Sequence, residues 1–192
     1  MTNEGHAYRQ WNLSILPHRV GIDANVIIWA LTPSSAKDPA AIAACEACEE
    51  IFKLMDSRTI TLCAPIPALA EWWVANTDDS PPDGQHFEPI PFDLKAAKLM
   101  AQRLGVQTLS TIAHEQHLRK KCLKADAMIL ACLWSAKVKV FVSDNKSDFA
   151  RLLKLVAPDQ FISVLTPLEF LNQYSIVVNP NDPSESQEDL PF

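Results

Sequence analysis

The residues of this sequence best able to do chemistry are acids placed where an apolar run gives way to a polar one. Residues 140–149 read VFVSDNKSDF, three apolar positions followed by Ser143, Asp144, Asn145 and, after two more residues, Asp148. The pattern has three earlier counterparts: Asp23 after RVGI, Glu71 in APIPALAEWW, and Asp126 in KADAMILACL. Carboxylates brought together repel one another unless a cation compensates them. Oxygen donors of this kind suit Mg2+ or Mn2+. Such an ion lowers the pKa of its bound water and neutralises charge on a phosphate in flight. No covalent nucleophile with a partner base stands nearby in the sequence, so metal-activated water is the economical chemistry.

Taken singly, most of these acids have an ordinary reading. An Asp after a strand is usually a turn or cap residue, Glu71 could be an exposed helix residue, and Asp148 could cap a helix starting at Phe149. Asp126 is harder to explain away. It lies between Ala125 and Ala127 in an apolar helical run, where an unpaired carboxylate is costly. It therefore needs a partner or a metal.

Charge is distributed unevenly. The net charge is −6, at first sight unfavourable for a nucleic-acid partner. The stretch after Asn181 carries Asp182, Glu185, Glu188 and Asp189 and no base, which leaves −2 for the rest. Nine of the 17 Lys and Arg lie between His117 and Lys154, among them Arg119, Lys124 and Lys146. The only acids in that window are Asp126, Asp144 and Asp148. A basic segment whose few acids are all candidate ligands fits an anionic polymer, with Arg119, Lys124 and Lys146 as candidate substrate contacts. The 192 residues suit one domain. No apolar run approaches the ~18 residues that span a bilayer, and residues 1–12 have no apolar signal core, so a cytoplasmic location is expected. The five cysteines are an odd count and read as buried thiols. Cys45 and Cys48 fall on one helical pattern with no second pair, which favours a helix face over zinc or redox chemistry.

The elements that would position the acids follow from periodicity. Residues 1–17 read as an irregular extension. Residues 18–23 form a strand, 40–55 a helix and 59–64 a second strand, with Pro67 opening a helix that carries Glu71. Residues 76–91 are loop-like, and Asp93 caps a helix to 104. A short strand is possible at 106–109, and a long helical pattern over 111–136 holds Asp126. Residues 138–143 are a strong strand, 149–155 a short helix, 161–165 a last strand, and 167–171 a helical turn. After 178 the composition is that of a disordered tail. Strands alternating with helices imply a parallel sheet covered on both faces, with ligands beyond the carboxyl ends of its strands. Asp23 and Asp144 then share one edge, and Glu71 and Asp126 must point at it from helices. Trp72 and Trp73 are about 100° apart on their helix, so one is expected in the core and the other at an interface or against a base.

In these motifs the chain resembles PIN domains, and within them the VapC-type toxin ribonucleases. VGIDANVII, APIPALAEWW, KADAMILACLWSAKV, VFVSDNKSDF and FISVLTPLEFL match the family's motifs in order over residues 18–171. The resemblance implies a three-layer α/β/α domain with a central parallel sheet, between an N-terminal extension (1–17) and a C-terminal tail (172–192). It implies a Mg2+- or Mn2+-dependent endoribonuclease using water as nucleophile, restrained by an antitoxin and dimeric. Asp23, Glu71 and Asp126 match its acidic positions. The fourth position is open: Asn145 aligns with it, and Asp144 and Asp148 flank it as the available carboxylates. The metal set is then Asp23, Asp126, Asp144 and Asp148, with Glu71 catalytic. Ser143 would bond a ligand or water, Asn145 would be auxiliary, and Asn25 would support Asp23. Two other readings stay open: a PIN nuclease acting on other RNA or on structured DNA without an antitoxin, and an inactive PIN-like module that binds RNA or protein. The length at both ends and the acidic balance depart from a minimal toxin.

Overall fold

A computed structural model describes residues 8–31, 38–75, 87–104, 120–154 and 161–178. The possible strand at 106–109, the start of the long helical pattern (111–119) and most of the 76–91 loop lie outside these residues. Among the described residues, no helix is long and apolar enough to cross a membrane.

Five parallel strands form the core sheet: β2 (Arg19–Ile22), β3 (Thr61–Pro65), β4 (Phe87–Ile90), β5 (Val140–Val142) and β6 (Ser163–Leu165). Their order across the sheet is β4-β3-β2-β5-β6. Successive residues of β2, β3 and β5 are buried, not alternate ones, so both faces of the sheet are covered. This is the layered α/β architecture expected. From β2 the chain moves outward through β3 to β4, then returns to the other side of β2 for β5 and β6. The direction of travel reverses between β2 and β5, and the carboxyl ends of those two strands flank the crevice where such folds place ligands.

The helices are α1 (Ala24–Leu31), α2 (Pro39–Asp56), α3 (Ile66–Ala75), α4 (Leu94–Arg103), α5 (Lys120–Ser135), α6 (Lys146–Lys154) and α7 (Pro167–Tyr174). Asp38 caps α2, its carboxylate accepting from the Ala40 and Ala41 amides at 3.0 Å, with Pro39 opening the first turn. Cys45 and Cys48 are buried free thiols on this helix, and burial pushes both upward in pKa. Ile42, on the same helix, is exposed. Trp72 is buried and Trp73 is partly exposed, as the 100° offset requires. Asp93 caps α4 through the Ala96 amide at 2.8 Å.

Gly21 fixes how closely α5 lies on the sheet. A Cβ there would stand 2.6 Å from Leu133 Cδ2 and 3.1 Å from the Phe141 ring. The missing side chain lets α5 settle onto β2. Leu133 is two helical turns after Asp126, on the same face. Pressing Leu133 onto β2 therefore turns Asp126 toward the sheet as well.

Three expectations are corrected. The segment read as a loop to 91 ends in β4, an edge strand in which only Phe87 and Ile90 are buried around exposed Glu88 and Pro89. Its buried and exposed residues do not alternate, so no period-two signal marks it, and Pro is tolerated there because the strand lies at the edge. Within the stretches read as an irregular extension and a tail, β1 (Tyr8–Trp11) pairs antiparallel with β7 (Ser175–Val178). That pairing joins segments 164 or more residues apart, which local periodicity does not reveal. Asp148 does not cap its helix: α6 begins at Lys146, and Asp148 lies in its first turn.

Candidate active site

β2 ends at Ile22, and Asp23 follows in the switch-point crevice. Its amide donates to the Val142 carbonyl at 3.1 Å, extending the β2–β5 ladder by one step. Its own carbonyl accepts from the Val26 and Ile27 amides at 3.1 and 3.4 Å, which starts α1. The side chain is thus fixed between a strand end and a helix start. Its Oδ1 accepts from the Ala24 amide at 2.9 Å and its Oδ2 from the Ser143 hydroxyl at 2.7 Å. Ser143 is fully buried, its amide donates to the Leu165 carbonyl at 3.0 Å, and its hydroxyl accepts from the Asn145 amide at 3.1 Å. The Ser143 hydroxyl, expected on a ligand or water, is committed to Asp23, because a buried carboxylate needs the donor.

Asp23 is buried, and burial drives its pKa upward. The bonds from Ser143 and Ala24 oppose that rise, and nearby Asp144 adds to it. Asp126 is pushed up to about 7, by burial first and then by Asp23, Asp148 and Glu71. Glu71, at the solvent side of α3, is raised by partial burial and by Asp23. Acids from five segments thus act on one another at one edge. α5 runs back toward the amino ends of the strands before β5 begins, so its first half, with Asp126, lies at the carboxyl edge. α3 starts at that edge directly after β3, and α6 starts there just after Asp144 and Asn145. Topology alone brings Glu71, Asp126 and Asp148 to Asp23.

The supporting residues divide differently. Asn25 is exposed on α1, and Asp23 takes its bonds from Ala24 and Ser143, not from Asn25. Asn145 contributes a backbone amide that fixes Ser143. Asp144 is exposed beside Asp23, and Asp148 also meets Arg151 at 3.3 Å. Lys146 is engaged by Glu169 at 2.6 Å, which holds the Glu169 carboxyl below the ordinary range. Sequence reading overlooked Glu169. Thr166-Pro-Leu-Glu169 is a capping-box pattern, and the structure forms the box, with Thr166 Oγ1 accepting from the Glu169 amide at 3.2 Å and the Glu169 carboxylate from the Thr166 amide at 2.8 Å. Lys124 is exposed on α5. Arg119 lies outside the described residues.

In donor chemistry and charge the edge fits a hard divalent cation. Its donors are carboxylate oxygens, and among the described residues no cation neutralises Asp23 or Asp126. No three His, Cys, Asp or Glu side chains among the described residues stand close enough to share one ion. The edge is therefore not a closed protein cage. Mg2+ is commonly held by one or two carboxylates with water completing its octahedron, and such an ion does not need three. A cavity of about 700 Å3 bordered by Arg9, Glu46, Lys53 and Leu168 lies elsewhere, beside α2 and α7.

No family model matches the chain, and no curated protein matches it. Among solved structures the chain is similar to VapBC2 from Rickettsia felis bound to a DNA fragment from its promoter. That match has 13% identity and a TM-score of 0.48, over 77% of this chain and 98% of that one. It is also similar to DNA-bound VapBC from Salmonella typhimurium, with 18% identity and a TM-score of 0.49, over 79% of this chain and 99% of that one. At these identities the likeness concerns the course of the backbone, and the chemistry of the edge rests on this chain's own residues.

Proposed function

We propose that the protein is a metal-dependent endoribonuclease that hydrolyses RNA phosphodiester bonds, acting as the toxin of a toxin–antitoxin pair. One observation carries the reading: Asp23 is buried and fixed by Ser143 and Ala24 at the crevice where the strand order reverses, and Asp126, Asp144 and Glu71 gather around it. A fold that sets the half-buried Asp126 and more exposed acids around the buried Asp23, with no cation among the described residues to answer Asp23 or Asp126, leaves an excess of negative charge that a bound cation would remove. One or two of the candidate ligands Asp23, Asp126, Asp144 and Asp148 would hold Mg2+ or Mn2+ at a time, with water completing the shell and Asn145 as an uncharged auxiliary. The ion supplies activated water and neutralises charge on the phosphate.

The chain's residues do the rest. Ser143 fixes the rotamer of Asp23, so the carboxylate needs no reorganisation when the site fills. Glu71, with a raised pKa and a position at the solvent side, is placed to exchange a proton with bulk water. Lys124, exposed near Asp126, supplies charge to a phosphate. The five family-like motifs support the antitoxin and the second copy as partners. Trp73 and Val74, exposed on α3 just after Glu71, offer apolar surface beside the site for a protein partner.

The test is RNA cleavage with Mn2+ or Mg2+, with EDTA and the Asp126→Asn variant as controls. Cleavage that stops in EDTA and is absent from the variant is the expected result. Metal-loaded protein that cuts no RNA spared by the variant ends the enzyme reading and leaves an RNA- or protein-binding module. For the toxin assignment, the product of a small neighbouring reading frame should copurify and relieve growth arrest.

A further inference from the structure

Beyond the carboxylates, one flank of the sheet carries a feature that the chemistry at the edge does not use. β6 pairs with β5 on one side only, and α6 runs back beside it. Between them lies a cavity of about 630 Å3, with Leu153 and Val164 on its apolar wall and Lys146 and Lys154 on its rim. A second cavity, of about 330 Å3, shares Phe161 and Ile162 with the first and continues over Trp134 to Lys95, Lys137 and Lys139. Five lysines line the pair, and no acid among the described residues does.

Direction matters here. α6 starts at the carboxyl edge, at Lys146, and ends at the amino edge, at Lys154, a rise of about 13 Å for its nine residues. The two cavities therefore form one track that leads from beside Asp144 and Asn145 to the far edge of the sheet. Phe161 sits where they join and is 72% exposed. Two of the lysines are engaged, Lys146 by Glu169 and Lys95 by the Ser135 carbonyl. Lys137, Lys139 and Lys154 have no acid partner among the described residues. An exposed aromatic ring between unpaired lysines is how proteins hold single strands without reading their sequence: the ring stacks on a base, and the ammonium groups follow the phosphates.

We infer that this track binds single-stranded RNA extending away from the carboxylates, with Phe161 stacking on a base and Lys137, Lys139 and Lys154 contacting phosphates. The choice of RNA rests on the ribonuclease reading above; the charge and the exposed ring do not. A duplex is disfavoured because its bases are not free to reach Phe161.

The test measures fluorescence anisotropy of a labelled single-stranded RNA of mixed sequence with the full chain in EDTA, so that binding is read without cleavage. All three substituted positions are exposed, and thermal melts check that the variants are folded. Phe161→Ala should weaken binding about tenfold. Lys139→Glu with Lys154→Glu should weaken it more at low salt and flatten the slope of log affinity against log salt by about 1.4, from ~0.7 per lost phosphate contact. Unchanged affinity and slope in both variants overturn the inference. So does an unchanged RNA affinity accompanied by lost binding of a peptide copying residues 179–192, which would give the track to that acidic segment. Failure of the nuclease reading looks different: the wild-type chain would cut nothing with Mn2+, while the two variants would still lose RNA affinity.

Discussion

The two ends of β2 carry opposite solutions to the same problem. At the amino end, Arg19 meets Glu88 through three hydrogen bonds of 2.7 to 3.2 Å and donates a fourth, at 2.6 Å, to the Ala136 carbonyl. The Arg19 and Glu88 charges thus answer one another within the chain. Four residues on, at the carboxyl end, Asp23 is buried and faces Asp144, Glu71 and Asp126. Nothing in the sheet prevents an ion pair at that end, since β2 accepts one at the other. Stability alone favours neutralising a buried acid, so a fold that instead surrounds Asp23 with further acids leaves room for a charge from outside. The amino end holds the sheet together, and the carboxyl end is arranged for a ligand.

The most direct way to break this contrast is to remove the acid that feels the others most. Asp126→Asn should lower metal-dependent RNA cleavage by about 10²–10³-fold or more, the scale on which one preorganised charged group acts in a site. It should leave the fold intact, because Asn keeps the shape and relieves repulsion. Cleavage kinetics beside a circular-dichroism melt check both halves. A variant that cuts normally would make the carboxyl end as structural as the amino end.

Ser143→Ala tests whether the position of Asp23 is built in. The substitution removes one of two bonds to a buried carboxylate and should cost about 1–3 kcal/mol in denaturant unfolding of the metal-free protein. It should also raise the Asp23 pKa further, since the Ser143 bond opposes its rise. The acid limb of the pH–rate profile should then move to higher pH.

How far this was legible in the sequence depends on the range of the interaction concerned. Strands β2, β3, β5 and β6 and helices α2 to α4 follow from local apolar pattern, capping by Asp93 and the placement of Pro67. The edge shared by Asp23 and Asp144 follows from the carboxyl-end rule for parallel sheets. Asp126 stood out because its apolar neighbours made a lone carboxylate costly. The β1–β7 ribbon, the engagement of Lys146 by Glu169 and the commitment of Ser143 to Asp23 could not be read this way. Each joins residues distant in sequence, 23 apart for Lys146 and Glu169 and 120 apart for Ser143 and Asp23, and no periodicity encodes such a contact. β4 was hidden for another reason: with two exposed residues between two buried ones, its pattern is that of a loop.

The raised pKa of Asp126 gives the contrast a pH signature. The folded chain holds this proton up to about 7, whereas the ordinary value is 3.8. Between those values the folded state binds more protons than the unfolded state, so metal-free stability falls as pH rises through the window. Above it the full penalty is present; below it there is none. Metal-free Asp126→Asn should therefore be more stable than wild type at pH 8 by roughly 1–2 kcal/mol, a value discounted for the solvent contact this carboxylate keeps. The gap should close near pH 4. Urea melts at the two pH values measure it, and Mn2+ should stabilise wild type at pH 8 more than the variant.

The smallest effect belongs to the amino end. Side-chain exposure of Arg19 and Glu88 is 37% and 47%, which places their pair in the range of surface ion pairs, about 0.2–1 kcal/mol. Glu88→Gln should lower stability by that amount, and by less in high salt, because screening shortens the reach of exposed charges. RNA cleavage should not change, since the pair and the carboxylates sit at opposite ends of the strand with only Val20, Gly21 and Ile22 between them. A double-mutant cycle of Glu88→Gln with Asp126→Asn should then be additive in both unfolding and cleavage. Coupling between the two would mean that β2 transmits strain from one end to the other, and that the two charge arrangements are parts of a single design.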